Sequence, residues 1–423
     1  MISKKCTMLV LLYLSALPTW SQSTDDKSLQ AAYTLNQSNV LSKNTWAYVW
    51  QTSDGSLRPA MTQDETGLRF WLAHEANTQK LALDKPTSVT LSPGNGFLAV
   101  LYQTDHTLSS SELKHFSFKI FDVQGNERYS LEHSGISDAP PPACYVSDNG
   151  YAVLANGARG ELAFYNANGH HIKTVDLFED DIYQYEKPLA CAISRDGDFI
   201  AAIAQKKPAT ISEITGQMIS GEPHLILLTL SGDELWRAAL KEDACSEVAI
   251  SSAGKWIAVA QYSTALSGEV SKKISVFNGA GELQYEISNL FRKASFSTSG
   301  EKFFWMNINE IGCVDLVSRK PIWHWSNNKN SDQILADFAI DASGSRCAVL
   351  SGISTFKEDG FVYDSPKLML LNANGKSIWK MDFYSNQFRQ PSVVLTENGR
   401  SIGIGFINTY KIYEAANDNA SKF

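Results

Sequence analysis

The sequence predicts an all-β chain: a single β-propeller of four-stranded blades. Three observations carry this. A short apolar strand, a Ser-like residue, a Gly-type turn and a second apolar strand recur along the chain. The recurrences lie 40–57 residues apart, the period of a four-stranded blade. Helical periodicity is almost absent, whereas the alternation expected of strands is widespread.

Composition narrows the function classes. The chain has 423 residues, 43% of them hydrophobic and 19% charged, with a net charge of −8. It is too apolar for a disordered chain. It is too acidic for a general nucleic-acid binder, which needs basic surface. No nucleic acid is expected among its partners.

The N-terminal element reads as a signal peptide over 1–21. Lys4 and Lys5 precede the apolar run Met8–Leu17, Pro18 breaks it, and Thr19 and Ser21 stand at −3 and −1 of a cleavage after Ser21. The run is too short to span a bilayer, which takes about 20 residues. Export to a periplasm or beyond, with no transmembrane anchor, is the expectation. Cleavage removes two lysines and no acid, so the net charge becomes −10. Cys6 leaves with the signal. Cys144, Cys191, Cys245, Cys313 and Cys347 remain, scattered and without a CxxC, as buried apolar thiols would be.

Residues 22–45 form an N-terminal segment, and 46–423 form the propeller. Its repeats are anchored at Ser92, Ser147, Ser194, Ser251, Ser297, Asp341 and Thr396, with a degenerate first copy at Thr52. In the first strand of each repeat (a), the positions one and three before the anchor are apolar nearly throughout. A second hairpin (c–d) follows most copies, with turns such as Asn166-Ala-Asn-Gly169, Asn278-Gly-Ala-Gly281 and Asn372-Ala-Asn-Gly375. Asn and Gly tolerate the positive φ such turns need. Strand d often carries an aromatic: Tyr129, Trp236, Tyr285, Trp323 and Trp379. Eight blades fit the length better than seven. The last repeat lacks a fourth strand, and a segment near 29–36 is expected to supply it.

The motif Ala192-Ile-Ser-Arg-Asp-Gly-Asp-Phe-Ile-Ala201 resembles the WD40-like propellers of exported bacterial proteins. The motif Leu371-Asn-Ala-Asn-Gly-Lys-Ser-Ile-Trp379 resembles the quinoprotein-like (PQQ-like) propeller repeat. The likeness covers about 46–414 and implies a fold, because propellers host many activities. The Gly-His and Trp-Asp dipeptides of true WD40 repeats are missing. The quinoprotein likeness implies one alternative function, a quinone-dependent oxidoreductase using the axial pocket. Glycan or lactone cleavage in that pocket is another.

The leading expectation is an exported, non-catalytic scaffold that binds a protein, peptide or glycan in the cell envelope. The a–b and c–d turns are short, and the variable lengths fall in the b–c and d–a loops, where binding residues concentrate. The richest d–a loop, 177–187, sets Glu179, Asp180 and Asp181 beside Phe178, Tyr183 and Tyr185. Carboxylates next to aromatics suit a sugar, a basic peptide or a cation. Phe291 with Arg292 and Phe388 with Arg389 are two further candidate pairs, each arginine able to hold a carboxylate. The acidic run lacks calcium-loop spacing, the histidines show no HExxH, and there is no Walker loop, GxGxxG or nucleophile elbow. No metal, cofactor or catalytic residue is expected.

Overall fold

The computed structural model describes residues 33–40, 46–51, 57–64, 67–71, 80–83, 88–92, 96–103, 113–122, 125–136, 142–157, 159–177, 189–204, 210–215, 218–265, 267–327, 331–357, 360–389 and 392–415. Residues 1–21, expected from sequence to be a signal peptide, the repeat copy at Thr52 and residues 178–188 lie outside them. The described residues form seven four-stranded sheets, one five-stranded sheet and a small two-stranded hairpin. All strand pairs are antiparallel. Among the described residues, no helix is long and apolar enough to cross a membrane.

Numbered along the chain, the sheets cover 46–83, 88–136, 143–176, 191–239, 244–287, 293–326, 333–388 and 393–415. In the first seven, strands a to d lie side by side in chain order. Sheet 8 takes its fourth strand from the N-terminal segment: Tyr33–Val40 pairs with Thr409–Ala415, from Tyr33↔Ala415 to Val40↔Thr409. The described strand overlaps the 29–36 expected from sequence at residues 33–36.

The core is distributed between sheets. Phe118 and Ile120 of sheet 2 pack with Val146 and Leu154 of sheet 3. Sheets 3 and 4 share a second cluster, and each consecutive pair up to sheets 7 and 8 does likewise. Val49 of sheet 1 packs with Tyr410 and Ile412 of sheet 8. A Phe or Leu buried this completely contributes about 1.5–3 kcal/mol, so stacked sheet faces dominate the stability.

Two repeated devices explain the sequence pattern. All seven described anchors are buried. Each accepts a backbone N–H from the start of strand b, for example Phe97 N to Ser92 Oγ at 3.0 Å, Trp256 N to Ser251 Oγ at 2.8 Å and Arg346 N to Asp341 Oδ1 at 3.2 Å. A buried turn must satisfy that donor, and a short oxygen-bearing side chain does so locally. The second device joins neighbours. Gly169, Gly281 and Gly375 of the c–d turns have φ of 77°, 81° and 74°. A Cβ at each would lie 2.5–2.8 Å from Tyr129, Trp236 or Trp323, the strand-d aromatic of the preceding sheet. Each glycine is thus fixed twice, by its backbone and by the ring over it.

The long b–c connections 262–272 and 352–366 continue the b and c strands as hairpins. Trp256–Thr264 pairs with Val270–Asn278, and Arg346–Lys357 with Gly360–Asn372. The extended tip of sheet 7 is rich in strand-favouring residues, Ile353, Thr355, Phe356, Phe361, Val362 and Tyr363.

Candidate functional site

At the b–c and d–a end, sheets 4 to 7 carry apolar side chains in water. Sheet 4 inserts the small hairpin Thr210–Ile211 and Met218–Ile219. There Ile211, Ile214 and Ile219 are exposed, Ile214 by 96%. Val270 and Ile308 are exposed at the same end of sheets 5 and 6. On sheet 7, Phe356 (72% exposed) and Phe361 face each other across the hairpin tip with ring centroids 5.2 Å apart, and Tyr384 is exposed in the d–a loop.

The sequence-derived candidates lie as follows. Phe178, Glu179, Asp180, Asp181, Tyr183 and Tyr185 are outside the described residues. Phe291 is buried, its ring meeting Phe303 edge-on at 6.2 Å. Half-buried Arg292 donates from Nη2 to the Leu335 carbonyl oxygen, bracketing sheet 6 to sheet 7. Phe388 is buried and stacks on Tyr363, 4.7 Å between centroids and 11° between planes, while its backbone pairs with Tyr363 as a short fifth strand. Arg389 is half-buried.

A second constellation lies on strand a of sheets 5, 6 and 7. Sheets 5 and 7 each have a bulge at the same place: pairing skips Ser246 between Cys245 and Glu247, and Ala336 between Leu335 and Asp337. A bulge re-aims the side chain beside it. Here that residue is an acid, four positions before the anchor. Sheet 6 has Lys293 at the equivalent position. Asp337 is buried and fully engaged: it forms an ion pair with Lys293 and accepts the N–H groups of Phe338 and Val393, both at 2.9 Å. Glu247 differs. It is exposed and has no hydrogen-bond or ion-pair partner among the described residues, yet burial pushes its carboxyl up to about 7. Tyr145 of sheet 3 is raised well above its ordinary value, chiefly by the neighbouring Cys191 thiol, then by burial, with Glu247 adding to the rise. Sequence reading followed the apolar positions of strand a and passed over the polar ones. The available signal was the series Ser88, Ala143, Ala190, Glu247, Lys293, Asp337, Ser392, charged in three successive repeats.

At the a–b end, neighbouring turns are tied together. Asp148 accepts from Ser92, Asp196 Oδ1 accepts the Ala253 N–H at 2.7 Å, and the Ala342 N–H donates to the Glu397 carbonyl at 2.9 Å. Arg195 of sheet 4 forms an ion pair with Glu397 of sheet 8, four sheets away. On sheet 6, Glu310 accepts from Asn289 Nδ2 at 2.5 Å and lies 3.8 Å from His324 Nε2. The His324 contact, then the Asn289 bond, hold its carboxyl at about 2 against the opposing effect of burial.

All five described cysteines are unbridged, and burial pushes Cys191 and Cys313 up to about 12. Among the described residues, no group of three or more His, Cys, Asp and Glu side chains is placed to hold a metal ion. No family model matches the chain, and no curated protein matches it. Among solved structures it is similar to "Crystal structure of the eukaryotic initiation factor", with TM-score 0.44, 9% identity, 81% of this chain and 97% of that chain covered. It is also similar to "KlHsv2 with loop 6CD replaced by a Gly-Ser linker", with TM-score 0.47, 13% identity, 78% of this chain and 93% of that chain covered.

Proposed function

We propose that the eight sheets close into one ring, an eight-bladed β-propeller, that residues 1–21 direct its export to the periplasm or beyond, and that it binds a partner through its b–c/d–a face. Closure is supported by the N-terminal strand completing sheet 8 and by Val49 of sheet 1 packing on that sheet. In such a ring strand a is innermost, and sheets 4 and 8 stand opposite each other.

The observation that carries the binding role is the concentration of exposed apolar side chains at one end of four successive sheets: Ile211, Ile214, Ile219, Val270, Ile308, Phe356, Phe361 and Tyr384. Scattered exposed apolar residues are ordinary, but a group of them on projecting hairpins marks an interaction surface. Aromatic and branched aliphatic groups on projecting hairpins suit a protein or peptide better than a glycan. In the sequence, the d–a connection 177–187 adds acids and aromatics.

The test is capture of partners from the native envelope by purified protein. The double variant Phe356→Ser/Phe361→Ser and a chain trimmed in loop 178–187 should both lose the captured protein while keeping the wild-type melting profile. Full capture by both refutes this placement.

A further inference from the structure

Glu247 combines two properties that rarely coincide: it is exposed, and burial raises its carboxyl to about 7. Both hold when a side chain faces a narrow space that admits water while protein replaces most of the bulk solvent. In a closed ring, strand a of sheet 5 borders such a space. The Arg195–Glu397 pair stands across the a–b end of it, so approach to Glu247 is from the b–c/d–a face.

The molecule contains a template for what this carboxyl meets. In sheet 7 a bulge presents Asp337, and the preceding sheet supplies a cation, Lys293, from the equivalent position. In sheet 5 the same bulge presents Glu247. The preceding sheet has Ala190 at that position and Ala192 two residues on, so its side chains are short and neutral where sheet 6 sends an ammonium. Lys293, on the other side, is committed to Asp337. One half of a repeated acid–cation pair is present, and the other half is absent among the described residues.

We propose that Glu247 receives a basic side chain of the bound partner, an ammonium or guanidinium inserted where the side chain of residue 190 would otherwise place one. This rests on the reading of the b–c/d–a face as the binding face and names the charge its partner carries. Tyr145 stands beside the site as a hydroxyl near the incoming cation.

The probe is N-acetyl-arginine amide, with its neutral isostere N-acetyl-citrulline amide, titrated into full-length protein labelled with ¹³C at glutamate Cδ. The arginine compound should bind about tenfold more tightly, the effect of one charge-assisted contact, and should shift the Glu247 signal. The preference should vanish in Glu247→Gln, which keeps size and shape. It should also vanish in Ala190→Lys, where the chain supplies its own cation. Equal binding of the two compounds to the wild type, or an undiminished preference in Glu247→Gln, overturns the proposal. Capture of the native partner by Glu247→Gln at wild-type strength overturns it too, whereas failure of the face reading shows separately, as full capture by the Phe356→Ser/Phe361→Ser chain.

Discussion

At the residue scale, single atoms decide much of this molecule. Gly375 needs a φ of 74°, and an added Cβ would lie 2.5 Å from Trp323 Cγ. Gly375→Ala combines left-handed strain with overpacking and should cost about 2–4 kcal/mol in denaturant unfolding. Two carboxyls predict opposite pH dependences. Glu247 has a folded pKa raised to about 7. Its contribution is present below its unfolded value and lost as pH rises through 7, so wild-type protein should lose stability relative to Glu247→Gln between about pH 4.5 and 7. Glu310 has a folded pKa lowered to about 2. Its contribution is present above its unfolded value and lost as pH falls from about 4.5 toward 2, and Glu310→Gln should flatten that acid limb. Thermal melts across pH 2–8 check both signs.

At the element scale, the N-terminal strand is held by more than its ladder. The Tyr33 hydroxyl donates to the Gly399 carbonyl and accepts from Arg346 Nη1 at 3.1 Å, and its ring lies 5.5 Å from Trp379. Tyr33→Phe removes a buried hydroxyl with two partners and should cost about 1–2 kcal/mol, read from denaturant unfolding. The repeat, its anchors and the c–d glycines are legible from sequence because each obeys a local rule: a donor to satisfy, a φ to adopt, an alternation to keep. The hairpins of sheets 5 and 7 are less legible, since a long b–c connection can be loop or paired strand. The cluster of Glu247, Lys293 and Asp337 is illegible from any one repeat. Its meaning depends on bulges, which are departures from alternation, and on comparing the same position in consecutive sheets. Phe291 and Phe388 show the reverse difficulty: an aromatic beside an arginine looks the same in sequence whether its ring is offered to a ligand or folded into the core.

At the scale of the whole molecule, most contacts join neighbours, and the Arg195–Glu397 pair is of a different kind. Both side chains are about half exposed, so charge reversal of either should change stability by under about 1 kcal/mol. Its value is as a ruler for the ring reading. With cysteines at both positions, a short bis-maleimide should link peptides 195 and 397 within one chain, as mass spectrometry would show. Absence of that link in a folded chain would contradict the opposed placement of sheets 4 and 8.

The glycine–aromatic joints have a direction. In the joints Tyr129–Gly169, Trp236–Gly281 and Trp323–Gly375 the ring comes from the earlier sheet and the bare Cα from the later one, so each of the sheet pairs 2–3, 4–5 and 6–7 holds a plug and its socket. A unit excised with both halves leaves its neighbours matched, plug to socket. A unit cut through the middle leaves an indole without its hollow. Duplication, deletion or circular permutation of this chain should therefore be tolerated in whole multiples of the repeat, and the workable cut points are those that part no aromatic from its glycine.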